Sequence, residues 1–129
     1  MDEYLKPNSS FLRLYNEYKQ YGGLVIAYDF DNTIYDFHKK NETYFQVIGL
    51  LRRLKAAGCY MICFTANSDS DFIYNYLKEY DVPIDKLNDN PPFFKCQERK
   101  IYFNALLDDR AGLLQVYTEL TLLLTLLNK

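Results

Sequence analysis

The chain has few of the residues from which metal-thiolate and disulfide sites are built. It carries three cysteines and one histidine in 129 residues, and none of them shows CxxC or Cys/His ligand spacing. Two of the cysteines, Cys59 and Cys63, fall on one face of an apolar run. We therefore interpret the cysteines as core thiols of a protein in a reducing compartment.

The sequence also lacks an excess of basic charge and a membrane-targeting segment. Its formal net charge is −2, with lysine and arginine scattered among acids, so no broad basic surface for a phosphate backbone is expected. The first residues do not show the charged and then apolar pattern of a signal peptide. The leucine-rich C-terminal segment is interrupted by Gln115, Thr118, Glu119, Thr121 and Thr125. We expect a cytoplasmic protein that does not bind membranes, and nucleic-acid binding is not its default function.

What the sequence does contain is enough apolar material for one sizeable core. Hydrophobic residues make up 49% of the chain, which favours a single domain over residues 1–129. The predicted strands are residues 24–28, 59–64, 105–107 and a short one at 86–88. The predicted helices cover residues 9–20, 44–54, 68–80 and 112–127. Ser9 or Ser10 is expected to cap the first helix, and Ser68 with Asp71 resembles a capping box for the third.

Strands that alternate with helices predict an α/β fold with a parallel sheet, arranged as a three-layer αβα, Rossmann-like structure. The first strand is a continuous apolar run, as expected for a central strand that is covered on both faces. In such a sheet the carboxyl ends of the strands share one edge, where ligands bind. Five polar residues follow the predicted strands and are therefore expected at this edge: Asp29, Asp31, Thr65, Asp108 and Asp109.

A cluster of four carboxylates needs a compensating charge. Two negative charges 4 Å apart repel each other by about 4 kcal/mol at an effective dielectric constant near 20. A shared proton is one solution, but a cluster rich in oxygen suits Mg²⁺, which is held by carboxylates together with a substrate phosphate. With a metal bound, one carboxylate can attack phosphorus while another handles the proton of the leaving group.

Three short motifs carry a resemblance to the haloacid dehalogenase superfamily. The sequence DFDNT at residues 29–33 resembles its first motif, DxDxT. The sequence FTA at residues 64–66 is similar to its second motif, and LLDDR at residues 106–110 is similar to its fourth, with a lysine upstream as the third. The resemblance covers residues 24–112, between an N-terminal helical extension (residues 1–21) and a closing helix (residues 113–129).

The resemblance implies a role for each acidic residue of the cluster. Asp29 would attack phosphorus and bind Mg²⁺, and Asp31 would act as acid and base while its main-chain carbonyl contacts the metal. Asp108 would supply a second carboxylate to Mg²⁺, and Asp109 would hold metal-bound water at the same metal site. Thr33 would orient Asp31.

The resemblance also implies how the phosphoryl group is held. Thr65 would hydrogen-bond a phosphoryl oxygen together with nearby backbone amides, and Lys100, or Lys95 as the second choice, would neutralise Asp29 and the transferring group. Arg110 is interpreted as structural. Asn32 stands where many members of the family have glycine, so its backbone conformation must be one that asparagine tolerates. The residues expected to contact substrate are Thr33, Ala66, Asn67 and, in the loop after the first motif, His38.

The spacing of the motifs leaves no room for the cap domain that most members of this superfamily carry. An open, capless phosphatase is therefore expected, acting on a small phosphorylated metabolite such as a nucleotide or a sugar phosphate. KIYFNALLDDR resembles the arrangement in the deoxyribonucleotidase branch, which favours a nucleotide, and in small capless members from bacteria and phages, which also leave a sugar phosphate open. Two alternatives stay open: a non-catalytic binding or assembly module that keeps the scaffold, and a homodimer that forms through the C-terminal helix.

Overall fold

The computed structural model describes residues 2–95 and 100–129. Over these residues a 3₁₀ turn (Glu3–Leu5) precedes four α-helices and four β-strands. The helices are α1 (Ser9–Tyr21), α2 (Phe45–Ala56), α3 (Ser70–Glu79) and α4 (Leu113–Leu126). The strands are β1 (Val25–Tyr28), β2 (Tyr60–Cys63), β3 (Lys86–Leu87) and β4 (Ala105–Leu107).

The strands form one parallel sheet in the order β3-β2-β1-β4. Tyr28, the last residue of β1, is level with Cys63 of β2 and Leu107 of β4. The three strands therefore end at the same height, and the residues that follow them meet at one edge. The predicted α/β fold with a parallel sheet is confirmed.

One face of the sheet carries the main core. Side chains alternate between the faces of a strand, and those on this face pack against buried residues of all four helices. The opposite face buries Val25, Ala27 and Ile62, which pack against residues of the segment 101–103. A parallel sheet flanked by helices is consistent with a Rossmann-like fold, and over the described residues the second face is covered by the segment 101–103, which belongs to no helix or strand.

A left-handed glycine, a close backbone approach and a side-chain cap define the ends of the helices. Gly22, with φ of 73°, ends α1 in the left-handed region that glycine adopts readily. A Cβ atom on Gly23 would clash with the carbonyl oxygen of Gly58, which follows α2. Only glycine therefore fits at position 23 without a shift of the backbone. The Asp69 side chain accepts a hydrogen bond from the amide of Phe72 and caps α3. The predicted capping box of Ser68 and Asp71 is therefore wrong.

The expected cap on α1 is also wrong, because both serines lie inside the helix and Asn8 precedes it without a side-chain cap bond. Cys59 and Cys63 are buried on the helical face, as their spacing predicts, whereas Cys96 lies outside the described residues. Within the described ranges, every helix is too short or too polar to cross a lipid bilayer.

Candidate active site at the carboxyl edge of the sheet

A tight loop after β1 presents the first two aspartates. The amide of Asp29 donates a hydrogen bond to the carbonyl oxygen of Leu107 (2.9 Å), which ties the start of the loop to the end of β4. The loop then closes on itself, because the amide of Tyr35 donates to Phe30 (3.0 Å) and that of Asn32 donates to Tyr35 (2.8 Å). Asn32 adopts φ of 63°, a left-handed conformation that asparagine tolerates better than most residues.

Carboxylates from two separate strand ends meet at this edge. One oxygen atom from each of Asp29, Asp108 and Asp109 lies within 4.8 Å of the other two. Asp29 and Asp108 are 79 positions apart in sequence (108 − 29), and the parallel pairing of β1 with β4 brings them together. Oxygen atoms at this spacing can share one hard cation such as Mg²⁺.

The environment of Asp29 disfavours its negative charge. The pKa of Asp29 is raised from 3.8 to about 7: burial raises it most, a backbone hydrogen bond from Phe30 lowers it, and Asp108 and Asp109 raise it. A neighbouring cation would act in the opposite direction and favour the ionised form. A cation bound beside Asp29 would therefore lower its pKa.

Asp31 lies beside this group with a different environment. Its carboxylate is not one of the three that converge within 4.8 Å, and its Oδ1 atom is buried without a hydrogen-bond partner in the described residues. Burial raises the pKa of Asp31, a hydrogen bond with the Asn67 side chain lowers it, and the charge of Asp109 raises it. A buried carboxyl oxygen without a partner, at an edge lined by other acids, is suited to exchange a proton with a ligand.

Thr33 connects the two acidic segments. It is fully buried, and its hydroxyl oxygen accepts a hydrogen bond from the amide of Asp109 (3.2 Å) and lies 3.5 Å from Oδ1 of the same residue. The expectations that Thr33 orients Asp31 and contacts substrate differ from this geometry, since the described hydrogen bonds of its side chain lead to Asp109 and it has no exposed surface.

Three consecutive side-chain bonds shape the loop after β2. The Asn88 side chain, which follows β3, accepts a hydrogen bond from the amide of Thr65 (2.8 Å). The Thr65 hydroxyl accepts one from the amide of Asn67 (3.1 Å), and the Asn67 side chain accepts one from the amide of Asp69 (2.9 Å). The Thr65 hydroxyl oxygen is thus held by its own loop, and its proton can be donated to a bound anion.

The turn after β4 fixes Asp108 relative to the next residues. Oδ1 of Asp108 accepts a hydrogen bond from the amide of Arg110 (2.9 Å), and its carbonyl oxygen accepts one from Ala111 (3.0 Å). This is a turn of the kind that aspartate stabilises through its own side chain. Gly112, with φ of 66°, then leads into α4.

These segments surround a cavity of about 490 Å³. It is lined by Asp29, Asp31, Asn32, Phe64, Thr65, Ala66, Asp108, Asp109 and Arg110. The cavity therefore brings together residues that follow β1, β2 and β4, as the sequence predicts for this edge. A larger cavity of about 680 Å³ lies near the Gly22–Gly23 turn, but its walls are mostly aromatic and apolar and include no carboxylate among the described residues.

Several predicted site residues do not line the acidic cavity. Lys100 and Lys95 are exposed and lie outside its lining. His38 is also exposed outside it, with its ring 5.2 Å from that of Phe37. Asn67 does not line the cavity either, although its side chain lowers the pKa of the nearby Asp31 carboxyl.

Sequence reasoning did not predict three features of the site. Asn88 holds Thr65, although the sequence around it shows only a short strand that ends in polar residues. Arg110 lines the cavity, although the sequence alone suggests a structural role. The rings of four residues, Phe30, Tyr35, Phe72 and Tyr76, pack together as an aromatic cluster that joins the first loop to α3.

Comparison with known proteins identifies a solved structure of similar fold. No model of a known protein family matches the chain, and no curated protein matches it. A solved structure of a conserved protein coded by a locus of Bacteroides thetaiotaomicron is similar, with a TM-score of 0.59 and 20% sequence identity. The match covers 70% of this chain and 78% of that one. Similarity at this level shows a shared parallel α/β fold.

Proposed function

We propose that this protein is a capless, Mg²⁺-dependent phosphomonoester hydrolase of the haloacid dehalogenase type. The observation that carries the proposal is the convergence of Asp29, Asp108 and Asp109 within 4.8 Å at the edge where Thr65 also lies. The order DFDNT, FTA and LLDDR along the chain supports the same interpretation. The substrate class that we propose is a small phosphorylated metabolite, such as a nucleotide or a sugar phosphate.

The donor set of the cavity fits a divalent cation. Asp29, Asp108 and Asp109 together offer carboxylate oxygens, which are hard ligands, and burial raises the pKa of Asp29 in the absence of a compensating charge. These three residues, with the main chain of Asp31, would hold Mg²⁺. When bound, the ion would offset the negative charge of the carboxylates and of the phosphoryl group.

The two aspartates of the first loop would divide the chemistry between them. An Asp29 oxygen would attack phosphorus, the bond from phosphorus to the leaving oxygen would break, and the Asp31 carboxylic acid would give its proton to that oxygen. Asp31, now ionised, would take a proton from a water molecule that attacks the phosphorus of the aspartyl-phosphate. Inorganic phosphate leaves, and Asp29 and Asp31 return to their starting states. The raised pKa of Asp31 supports its role as the proton donor.

The neighbouring side chains would hold the phosphoryl group. Thr65 can donate its hydroxyl proton to a phosphoryl oxygen, because its oxygen already accepts from the amide of Asn67. Thr33 would act through Asp109, whose amide and carboxylate it contacts. The described walls of the cavity are the short segments that follow the strands, so a substrate of some bulk can enter.

A Mg²⁺-dependent phosphate-release screen tests this proposal. The purified protein is given p-nitrophenyl phosphate, nucleoside monophosphates and sugar phosphates, with Mg²⁺ or with EDTA. We expect release with Mg²⁺ that Asp29→Asn abolishes and the exposed Asp71→Asn, a matched loss of one carboxylate, leaves unchanged. Equal release by wild type and Asp29→Asn would reject the mechanism.

One observation favours a second candidate, a binding or assembly module that retains the scaffold. Neither Lys95 nor Lys100 lines the cavity, so the lysine that the resemblance assigns to the phosphoryl group is not among the described residues of its wall. No release from any substrate, together with no binding of beryllofluoride in the presence of Mg²⁺, would support the module.

A further inference from the structure

The acidic cavity has a shortage of positive charge for the chemistry proposed. Four aspartates line it, and a phosphomonoester dianion brings two further negative charges. A divalent cation offsets only part of this sum. Phosphoryl transfer depends mainly on charge stabilisation and positioning, so a second positive group is expected to contact the phosphoryl oxygens.

Arg110 is the one basic residue among the described residues that line the cavity. It is exposed, and over residues 2–95 and 100–129 its guanidinium takes part in no hydrogen bond or ion pair. The other arginines of the described chain that make contacts, Arg13 and Arg52, pair with Glu17 and Asp81 elsewhere. Arg110 therefore has donors available at the wall of the cavity.

The backbone of Arg110 is fixed to the carboxylate cluster. Its amide donates to Oδ1 of Asp108 (2.9 Å), and one oxygen of Asp108 lies within 4.8 Å of oxygens of Asp29 and Asp109. A single short turn therefore holds a proposed metal ligand and a cation together. A guanidinium has five donors in a rigid planar fork that matches two phosphate oxygens, which an ammonium group does not.

We infer that Arg110 binds the transferring phosphoryl group, in the place that the resemblance assigns to Lys100. The inference rests on the proposed function, because it names a second contact to the same phosphoryl group. It makes Arg110 a phosphate-binding residue and leaves Lys95 and Lys100 outside the reaction. It also gives a use to the arginine of LLDDR, for which the sequence alone suggests a structural role.

Binding of beryllofluoride in the presence of Mg²⁺ tests the inference, because this phosphoryl mimic carries no leaving group. Calorimetric titration compares wild type with Arg110→Gln, Arg110→Lys, Lys100→Gln and Lys95→Gln. Arg53→Gln serves as the matched control, since Arg53 is an exposed arginine on α2. We expect Arg110→Gln to weaken binding about tenfold or more, as for loss of a charge-assisted hydrogen bond. Arg110→Lys should recover part of the loss, and the other variants should bind as wild type does.

The outcomes separate this inference from the proposed function. Wild-type binding that Arg110→Gln leaves intact overturns the role of Arg110, and loss in Lys100→Gln or Lys95→Gln assigns it to that lysine. A wild-type protein that neither binds beryllofluoride nor releases phosphate overturns the proposed function, and the role of Arg110 with it. Steady-state kinetics adds a second readout: loss of a contact made only in the transition state lowers kcat, whereas loss of a contact that is equally strong in the ground state and the transition state raises KM alone. A fall in kcat with p-nitrophenyl phosphate supports the inference.

Discussion

The hydroxyl of Thr33 accepts a hydrogen bond from the amide of Asp109 (3.2 Å), across 76 positions of sequence. This bond joins the loop after β1 to the turn after β4. Thr33 is fully buried, and the bond itself is partly buried. The two acidic segments of the site are therefore connected directly, as well as through the sheet.

Removing that acceptor should loosen the turn after β4. Thr33→Val keeps the shape of the side chain but leaves the amide of Asp109 without its partner, at a cost of about 1–3 kcal/mol. We expect a lower free energy of unfolding by urea titration in EDTA and weaker Mg²⁺ binding by calorimetry. Thr33→Ser, which keeps the hydroxyl, should stay close to wild type. Equal Mg²⁺ affinity in Thr33→Val and Thr33→Ser would show that the bond does not position Asp109.

Asn88 should affect the reaction without contacting the substrate. Its side chain accepts from the amide of Thr65 (2.8 Å), and its own φ is 53°. Asn88→Gly keeps that backbone conformation and removes the acceptor, whereas Asn88→Asp keeps both. Misplaced phosphate-binding groups cost about 10-fold to 100-fold in rate, so we expect a fall of this order in kcat/KM for Asn88→Gly and a smaller one for Asn88→Asp. If the glycine variant is the more active of the two, Thr65 does not depend on this bond.

The pKa of Asp29 has a consequence for stability in the absence of metal. The pKa is raised from 3.8 to about 7 in the folded protein, so folding favours the protonated acid. The contribution of Asp29 to the free energy of unfolding is therefore most favourable below about pH 4, and it is lost as the pH rises to about 7. We expect Asp29→Asn in EDTA to gain stability relative to wild type, by an amount that grows over this interval.

Urea unfolding at several pH values measures that difference. Asp108 and Asp109, whose charges raise the pKa of Asp29, are present in both proteins, so the comparison of wild type with the variant measures removal of the Asp29 carboxyl. Mg²⁺ competes with the proton for the same oxygens and should stabilise wild type more at about pH 8 than at about pH 5. A difference between the two proteins that does not change with pH contradicts the assignment.

Two glycines should respond in opposite directions to the same substitution. Gly23→Ala places a Cβ atom against the carbonyl oxygen of Gly58, so the backbone must shift, at a cost of about 1–3 kcal/mol. Gly49 lies within α2, where an added Cβ atom would meet nothing within 4 Å, so Gly49→Ala should add about 0.5–1 kcal/mol. Thermal unfolding of both variants checks the pair, and destabilisation by Gly49→Ala would contradict the packing described for α2.

The sheet and its acidic edge are predictable from sequence because both depend on local patterns. Continuous apolar runs mark β1, β2 and β4, and polar residues follow each run within two positions. The parallel arrangement then brings Asp29 and Asp108 to one edge without knowledge of any side-chain contact. Asn32 can also be foreseen, since a loop that requires a left-handed residue accepts asparagine.

The contacts that complete the site are not predictable in this way. The partner of Thr33 is an amide 76 positions away, and Asn88 reaches Thr65 only because β3 pairs with β2. No spacing of residues along the sequence predicts either hydrogen bond. The cap of α3 differs for a local reason, because Asp69 and Ser68 are both good capping residues and the helix begins later than expected.

Detection of a phosphoryl group on Asp29 is the most direct test of the proposed mechanism. A labelled phosphomonoester that the protein hydrolyses is mixed with it, quenched rapidly in acid, and the peptide that contains residue 29 is analysed by mass spectrometry. We expect a phosphoryl group on Asp29 with Mg²⁺, and none with EDTA or in Asp29→Asn. Release of phosphate with Mg²⁺ while Asp29 stays unmodified, at the same rate in Asp29→Asn, would contradict this mechanism.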